Sequence, residues 1–317
     1  MTDPQPPRRD DDHWSQYWAN GALTSLPEDF AANYDGEIRD FWQTVFDQVP
    51  SGGRILDVCT GNGAVAVLAA ERLVERTPPV TIQAVDAADI RPEAVKSRYP
   101  RQARWIDRIE FIGGTRFELF DAPDATFDLI TSQYGIEYCD LDGAAATAAR
   151  LLKPRGRLAF LSHALGSDML RTMESEYRDY RRVEQLQVIS RLEAHLRDAL
   201  DAAGLRRSLA RVRAELVGQR RLLERPLIRM VLGMVEQTLS MSDAEIRAAR
   251  PRYEGFARQW IGGRDRLADM LRVHRMMRDQ PDWVRCFERA GLSLHDSGTV
   301  RYLGRHDVGR FYVFEHP

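Results

Sequence analysis

The chain has 317 residues, 44% apolar and 29% charged, with a formal charge of -2. That length suggests two domains, or one domain carrying an insertion, and it can bury a core without disulfide or metal staples. The near-balanced charge argues against a polycation that coats nucleic acid. Cys59, Cys139 and Cys286 lie far apart and fit neither a disulfide framework nor a CxxC metal knuckle. A reducing, cytoplasmic compartment and no metal are therefore expected. The first residues carry no apolar targeting region and no run of about 18 apolar residues occurs, so no membrane span is expected.

In chain order, residues 1–12 are Pro-rich and charged and are expected to be a disordered tail. Residues 13–50 read as a helical, aromatic cap containing Trp14, Tyr17, Trp18, Tyr34 and Trp42. Within it, Ser25-Leu-Pro-Glu28 has the form of a capping box, so a helix is expected to start near Leu26. Residues 54–163 then alternate between short apolar runs and helical patterns. The strand candidates are 54–60, 81–87, 108–113, 127–133 and 157–163, with helices over 64–75 and 143–152. Near-continuous apolar strands alternating with helices predict a doubly wound, Rossmann-like α/β sheet with both faces covered.

From 166 to 280 the strand signal stops. Leu192, Leu196, Ala199 and Ala203 share one helical face, and Leu205, Leu209, Val212 and Leu216 form a second stripe. Pro226, Pro251 and Gly262-Gly263 punctuate the segment, so three to five helices are expected. One more helix is expected over 281–291. The runs 292–303 and 309–316 then read as a hairpin giving the sheet an antiparallel C-terminal edge. The expected domains are thus a sheet domain from 51–165 and 281–317, interrupted by an all-helical insertion over 166–280.

The chemistry concentrates in Ile55-Leu-Asp57-Val-Cys59-Thr-Gly61-Asn-Gly63-Ala-Val. A buried strand ends in a glycine turn that opens a helix, where the backbone can approach a ligand closely. The spacing also fits the dinucleotide fingerprint G-x-G-x-x-A, but an acid inside the strand would face a pyrophosphate, whereas a ligand carrying an ammonium group suits it. No Tyr-x-x-x-Lys or similar hydride-transfer set accompanies it, so a nicotinamide oxidoreductase is a poor reading.

This stretch resembles motif I of class I S-adenosylmethionine-dependent methyltransferases, hhDhGxGxG. Asp57, Gly61 and Gly63 match, and Cys59 replaces the first glycine, as in the DVCTG of quinone-ring methyltransferases. The resemblance implies S-adenosylmethionine as cofactor. It implies that Asp57 organises the loop or binds the cofactor's amino group, and that Asp86, with Ala87 beside it, ends the second strand at the ribose hydroxyls. The family's adenine-side acid is missing from Gly113-Gly-Thr115-Arg116, and Thr115 is the substitute. Residues 125–133 resemble the fourth-strand motif, with Gln133 at the cofactor. Residues 151–163 resemble the fifth-strand motif, with Arg155 where glycine is usual.

In such a fold the acceptor lies beyond the carboxyl ends of strands four and five. That points to Ser132-Gln-Tyr-Gly-Ile-Glu-Tyr138 and Ser162-His163. His163 is the candidate general base, because its unperturbed pKa lies near neutrality; the alternative is a histidine that simply packs. Glu137 is a candidate to orient a proton or bind a cationic acceptor, against a first-turn acid favoured by the helix dipole. Tyr134 and Tyr138 line the pocket or belong to the core. Trp14, Tyr17 and Trp18 cover the cofactor or merely pack. The fourth strand lacks the [DN]-P-P-Y pattern of enzymes that methylate planar base or glutamine nitrogens.

The 166–280 segment carries 23 arginines against 17 acids. Eight of those arginines fall between Arg206 and Arg229. With only two lysines in the whole chain, an arginine-rich composition explains this better than a nucleic-acid surface, and no aromatic interleaves the arginines as a stacking platform. The segment is expected to serve as a substrate cap or a homodimer surface. The reading is a small-molecule methyltransferase, with oxygen the favoured acceptor atom and nitrogen or carbon open. The alternatives are an RNA or protein methyltransferase docking through the basic helices, and a non-catalytic subunit of the same fold.

Overall fold

The computed structural model describes residues 12–25, 30, 32–164 and 168–317. Residues 1–11 of the expected 1–12 tail and the helix start expected near Leu26 lie outside the described residues, and Asp12, the last residue of that tail, begins a helix. The chain divides into two compact units, Met1–Ser167 with Arg272–Pro317, and Asp168–Leu271.

The elements of the first unit follow in chain order α1 (Asp12–Trp18), α2 (Gly36–Phe46), β1 (Arg54–Val58), α3 (Ala64–Arg72), β2 (Thr81–Val85), α4 (Pro92–Arg98), α5 (Ala103–Ile106), β3 (Ile109–Ile112), β4 (Phe127–Gln133), α6 (Leu141–Leu151) and β5 (Leu152–His163). The second unit holds α7 (Asp168–Gln185), α8 (Val188–Leu196), α9 (Ala202–Val217), α10 (Pro226–Ser240), α11 (Asp243–Ala248) and most of α12 (Arg250–Asp279). The chain then returns to the first unit for α13 (Arg285–Arg289), β6 (Ser293–Tyr302) and β7 (His306–Glu315).

The seven strands form one sheet in the order β3-β2-β1-β4-β5-β7-β6. β1 to β5 are parallel, and β7 runs antiparallel between β5 and β6. The antiparallel strand is therefore one in from the edge, and β6 closes the sheet. Successive strand residues point to opposite faces. Ile55, Leu129 and Ala159 enter one core with α2 and α3, and Leu56, Ile130 and Phe160 enter the other with α6, Trp283 and Phe287. Both faces are covered, which is why these strands read as unbroken apolar runs. α2 buries Ile38, Trp42, Val45 and Phe46, a helical i, i+4, i+7, i+8 stripe.

The strands are shorter or longer than the apolar runs by a few residues. β5 begins at Leu152 rather than 157, because its start pairs with Phe127 across a register shift. The helix expected over 281–291 is one short turn-and-a-half, α13.

The helical unit has six helices rather than three to five. The Leu192–Ala203 stripe is broken: Asp198 takes a left-handed φ of 59°, and the Asp201 side chain caps α9 by accepting from the Gly204 N–H at 2.6 Å. The second stripe holds, with Leu205, Leu209, Val212 and Leu216 all buried on α9. Gly262-Gly263 does not end a helix; α12 runs through it. A side chain at Gly263 would begin 2.4 Å from the Tyr180 hydroxyl, so close packing explains that glycine. Pro226 and Pro251 sit in first helical turns, where a missing N–H costs nothing.

Candidate active site at the carboxyl ends of the parallel strands

β1 and β4 are neighbours with Asp57 opposite Thr131. That register places the Thr131 hydroxyl on Asp57 Oδ1 at 2.7 Å, while the Thr60 hydroxyl donates to Oδ2 at 2.5 Å. Asp57 is 1% exposed. Burial pushes its carboxyl up to about 6, against the opposing pull of those two hydroxyls. Both oxygens are engaged inside the fold, so the geometry matches an acid that organises the loop.

The turn that follows is left-handed at three of five residues: Cys59 (φ 53°), Gly61 (56°) and Gly63 (92°). The cysteine in place of the family's first glycine thus occupies a conformation that glycine takes without strain, at a cost of about 1–2 kcal/mol for a residue with a β-carbon. Arg155, the second replacement of a usual glycine, also has positive φ, 64°. At Gly61 a β-carbon would lie 2.4 Å from the Trp18 ring, and at Gly63 it would lie 2.6 Å from Phe111. The buried Asn62 fixes the turn from beneath, donating to the carbonyls of Trp18 (2.9 Å) and Ala22 (2.8 Å) and accepting from the Arg91 N–H (2.8 Å).

Asp86 follows β2, half-buried, with Ala87 beside it. Its Oδ2 accepts from the Gly61 N–H at 2.6 Å and its Oδ1 from the Ala88 N–H at 2.8 Å. The acid is thereby fixed against the glycine turn. Thr115 lies after β3, and its N–H donates to the Asp86 carbonyl at 2.9 Å. Trp18, Ala88 and Ile90, with Trp14, Tyr17 and Phe111 packed against them, form a small apolar cluster around this corner. Two glycines in the turn, a fixed carboxylate at the end of β2 and an apolar surround fit a ribose-bearing, partly aromatic cofactor.

Beyond β4 the chain turns sharply at Tyr134 (φ 54°), and a short 3-10 turn over Ile136–Tyr138 carries Glu137 across to the end of β5. Glu137 Oε1 accepts from the His163 backbone N–H at 3.0 Å and lies 2.7 Å from His163 Nδ1. Glu137 is 1% exposed, and its Oε2 has no hydrogen-bond partner among the described residues. The His163 ring stands 4.7 Å from Tyr134, 6.0 Å from Tyr138 and 5.0 Å from His274, centroid to centroid. Trp14 meets Tyr138 edge-on at 5.7 Å. The Tyr134 hydroxyl donates to the Val308 carbonyl at 2.9 Å, and burial raises its pKa well above the usual value. Gln133 Oε1 accepts from Trp42 Nε1 at 2.5 Å, so α2 orients that amide. Ser162 faces away and donates to the Arg310 carbonyl.

The structure thus brings the residues singled out in the sequence into two adjoining groups. Asp57, Cys59, Gly61, Gly63, Asp86 and Thr115 lie at the ends of β1, β2 and β3. Glu137, His163, Tyr134 and Tyr138 lie beyond β4 and β5. Sequence reasoning missed Thr60, Thr131, Asn62 and His274. Thr131 becomes visible only once β4 is known to adjoin β1. His274 lies 111 positions beyond His163, with no local motif to mark it.

The family model described as "Methyltransferase domain" matches residues 30–207, more than half of the chain. No curated protein matches the sequence. Among solved structures, the YcgJ protein from Bacillus subtilis is 23% identical over 45% of this chain and 58% of its own, with a TM-score of 0.34. The chain therefore spans little more than half of that relative. Geranyl diphosphate C-methyltransferase from Streptomyces coelicolor A3(2) is 17% identical over 50% of this chain and 67% of its own, with a TM-score of 0.39. A TehB-like S-adenosylmethionine-dependent methyltransferase from Corynebacterium glutamicum is 13% identical over 97% of this chain and 98% of its own, with a TM-score of 0.43. Glycine turn, strand order and family model agree: the chain belongs to the methyltransferase-domain family, in the class I S-adenosylmethionine-dependent type, and S-adenosylmethionine is its cofactor.

Proposed function

We propose that the protein transfers a methyl group from S-adenosylmethionine to a small-molecule acceptor, with oxygen the favoured atom. The observation that carries this reading is the buried Glu137–His163 pair. The cofactor supplies an electrophilic methyl on a sulfonium. Cys59, Gly61 and Gly63 would hold its methionine part, Asp86 its ribose, and Thr115 with Ala87 the adenine side, while Gln133 closes the inner end. Asp57 holds the turn in shape through Thr60 and Thr131.

A hydroxyl acceptor starts protonated and needs a base. An ionised Glu137 can only accept, so Nδ1 carries the proton and Nε2 keeps its lone pair. His163 takes the acceptor's proton at Nε2, and the carboxylate at 2.7 Å stabilises the imidazolium that forms. The backbone N–H of His163 on the same oxygen keeps the carboxylate in place. Tyr134 and Tyr138 flank the ring and suit a planar acceptor.

One observation favours a nitrogen acceptor as the second reading. Glu137 Oε2 is buried, without a partner among the described residues. An ammonium group would satisfy that oxygen. Docking on nucleic acid is supported less, because arginines of the helical unit are paired within it: Arg206 with Asp243 (2.6 Å), Arg213 with Glu236 (3.3 Å) and Arg225 with Asp179 (2.5 Å). No helix among the described residues is long and apolar enough to cross a membrane. Residues 166–280, which follow β5 in sequence, are proposed to select the acceptor.

The test is thermal unfolding with S-adenosylhomocysteine against NADH, followed by transfer of labelled methyl to a panel of phenols, alcohols and amines. Stabilisation by S-adenosylhomocysteine alone, with label on hydroxyl acceptors, supports the reading. Label on amines alone selects the second reading. Cofactor binding without transfer to any acceptor would make the protein a non-catalytic member of the fold.

A further inference from the structure

Methyl transfer through Glu137 and His163 leaves two thiols unused in the middle of the site. Cys59 Sγ and Cys139 Sγ lie 3.5 Å apart, 80 residues apart in sequence, and neither is in a disulfide. Both side chains are partly exposed, whereas Cys286 is 3% exposed. Cys59 holds the left-handed position of the cofactor turn, two residues before Gly61. Cys139 caps the 3-10 turn that carries Glu137, two residues after it. The approach is built into the backbone: a β-carbon at Gly135 would lie 2.3 Å from Cys59 Cβ, so a side chain at 135 would drive the two turns apart.

We propose that Cys59 and Cys139 form a reversible dithiol–disulfide site that ties the cofactor turn to the acceptor turn and lowers cofactor affinity when oxidised. The part about cofactor affinity rests on the placement of the cofactor at the Cys59–Gly63 turn. The oxidant class is a peroxide. The thiolate of Cys139 attacks one peroxide oxygen, the O–O bond breaks, and a sulfenic acid and hydroxide result. The Cys59 sulfur then displaces the sulfenic hydroxyl, forming the S–S bond and losing its proton to that hydroxide. Two thiols have lost two hydrogens in all, and hydrogen peroxide has become two waters. The hydrogen bond to the neighbouring thiol, with burial, raises the Cys59 pKa well above its ordinary value. The bond requires the sulfurs to close from 3.5 Å to about 2.05 Å. The turn carrying Gly61 is then tethered at one end, and its fit to the cofactor is lost.

The experiment treats the full chain with stoichiometric hydrogen peroxide. Intact mass, a peptide map and titration of S-adenosylhomocysteine follow, before and after dithiothreitol. The expected result is a loss of two hydrogens, a 59–139 crosslinked peptide and affinity reduced at least tenfold, all restored by dithiothreitol. Cys139→Ser is expected to bind S-adenosylhomocysteine as reduced wild type does and to keep that affinity after peroxide. Oxygen addition without the crosslinked peptide overturns the site. A mapped crosslink with unchanged affinity overturns its role. Failure of the reduced protein to bind S-adenosylhomocysteine would instead strike the cofactor placement, and the mass result would still decide the crosslink.

Discussion

Asp57→Asn tests the central strut of the glycine turn without needing an acceptor. The wild-type carboxyl is buried and pushed up to about 6, from an ordinary 3.8. The folded state therefore binds this proton more tightly than the unfolded state does. Stability from the site is fully present below the unfolded value and is lost as pH rises through the folded one. The gap between the two values corresponds to about 3 kcal/mol in total, of which roughly 2 kcal/mol is crossed between pH 4.5 and 7.5. The asparagine is neutral throughout, and the Thr60 and Thr131 hydroxyls can rotate to serve its amide. Subtracting the variant from wild type thus isolates the carboxyl. Urea unfolding at several pH values, followed by tryptophan fluorescence, reads the right unit, since five of the six tryptophans lie in the sheet unit. The difference, wild type minus variant, should fall by about 2 kcal/mol from pH 4.5 to 7.5. A difference independent of pH would refute the claim that burial dominates this carboxyl.

Three further outcomes are expected. Glu137→Gln and His163→Asn should each lower kcat on a hydroxyl acceptor by about 10²-fold or more, with S-adenosylhomocysteine affinity unchanged; an effect confined to cofactor affinity would remove the pair from proton transfer. Gly61→Ala places a β-carbon on Trp18 at positive φ, so the shift in Tm caused by S-adenosylhomocysteine should vanish; a normal shift would move the cofactor off this turn. Arg155→Gly relieves a left-handed backbone at an exposed irregularity in β5 and should stabilise by up to about 1 kcal/mol, a Tm rise of roughly 2–4 °C in calorimetry. An unchanged or lower Tm would show that the strain there is absorbed elsewhere.

The sheet, the glycine turn and the cofactor were legible in the order of residues alone. Those features depend on local patterns: apolar runs buried on both faces, helical periodicity such as Leu205–Leu209–Val212–Leu216, and an acid and two glycines at fixed spacing. Glu137 and His163 could be nominated in the same way, because a strand's carboxyl end is marked by where its apolar run stops. What those groups do to one another emerged from the folded arrangement. Strand order set Thr131 against Asp57, and so engaged that buried carboxylate inside the fold. The Tyr134 turn swung Glu137 onto His163, and the return of the chain through α12 brought His274 to the same ring. The meeting of Cys59 with Cys139 has the same origin. Each is a contact between residues far apart in sequence, and strand pairing creates it where no local spacing can record it.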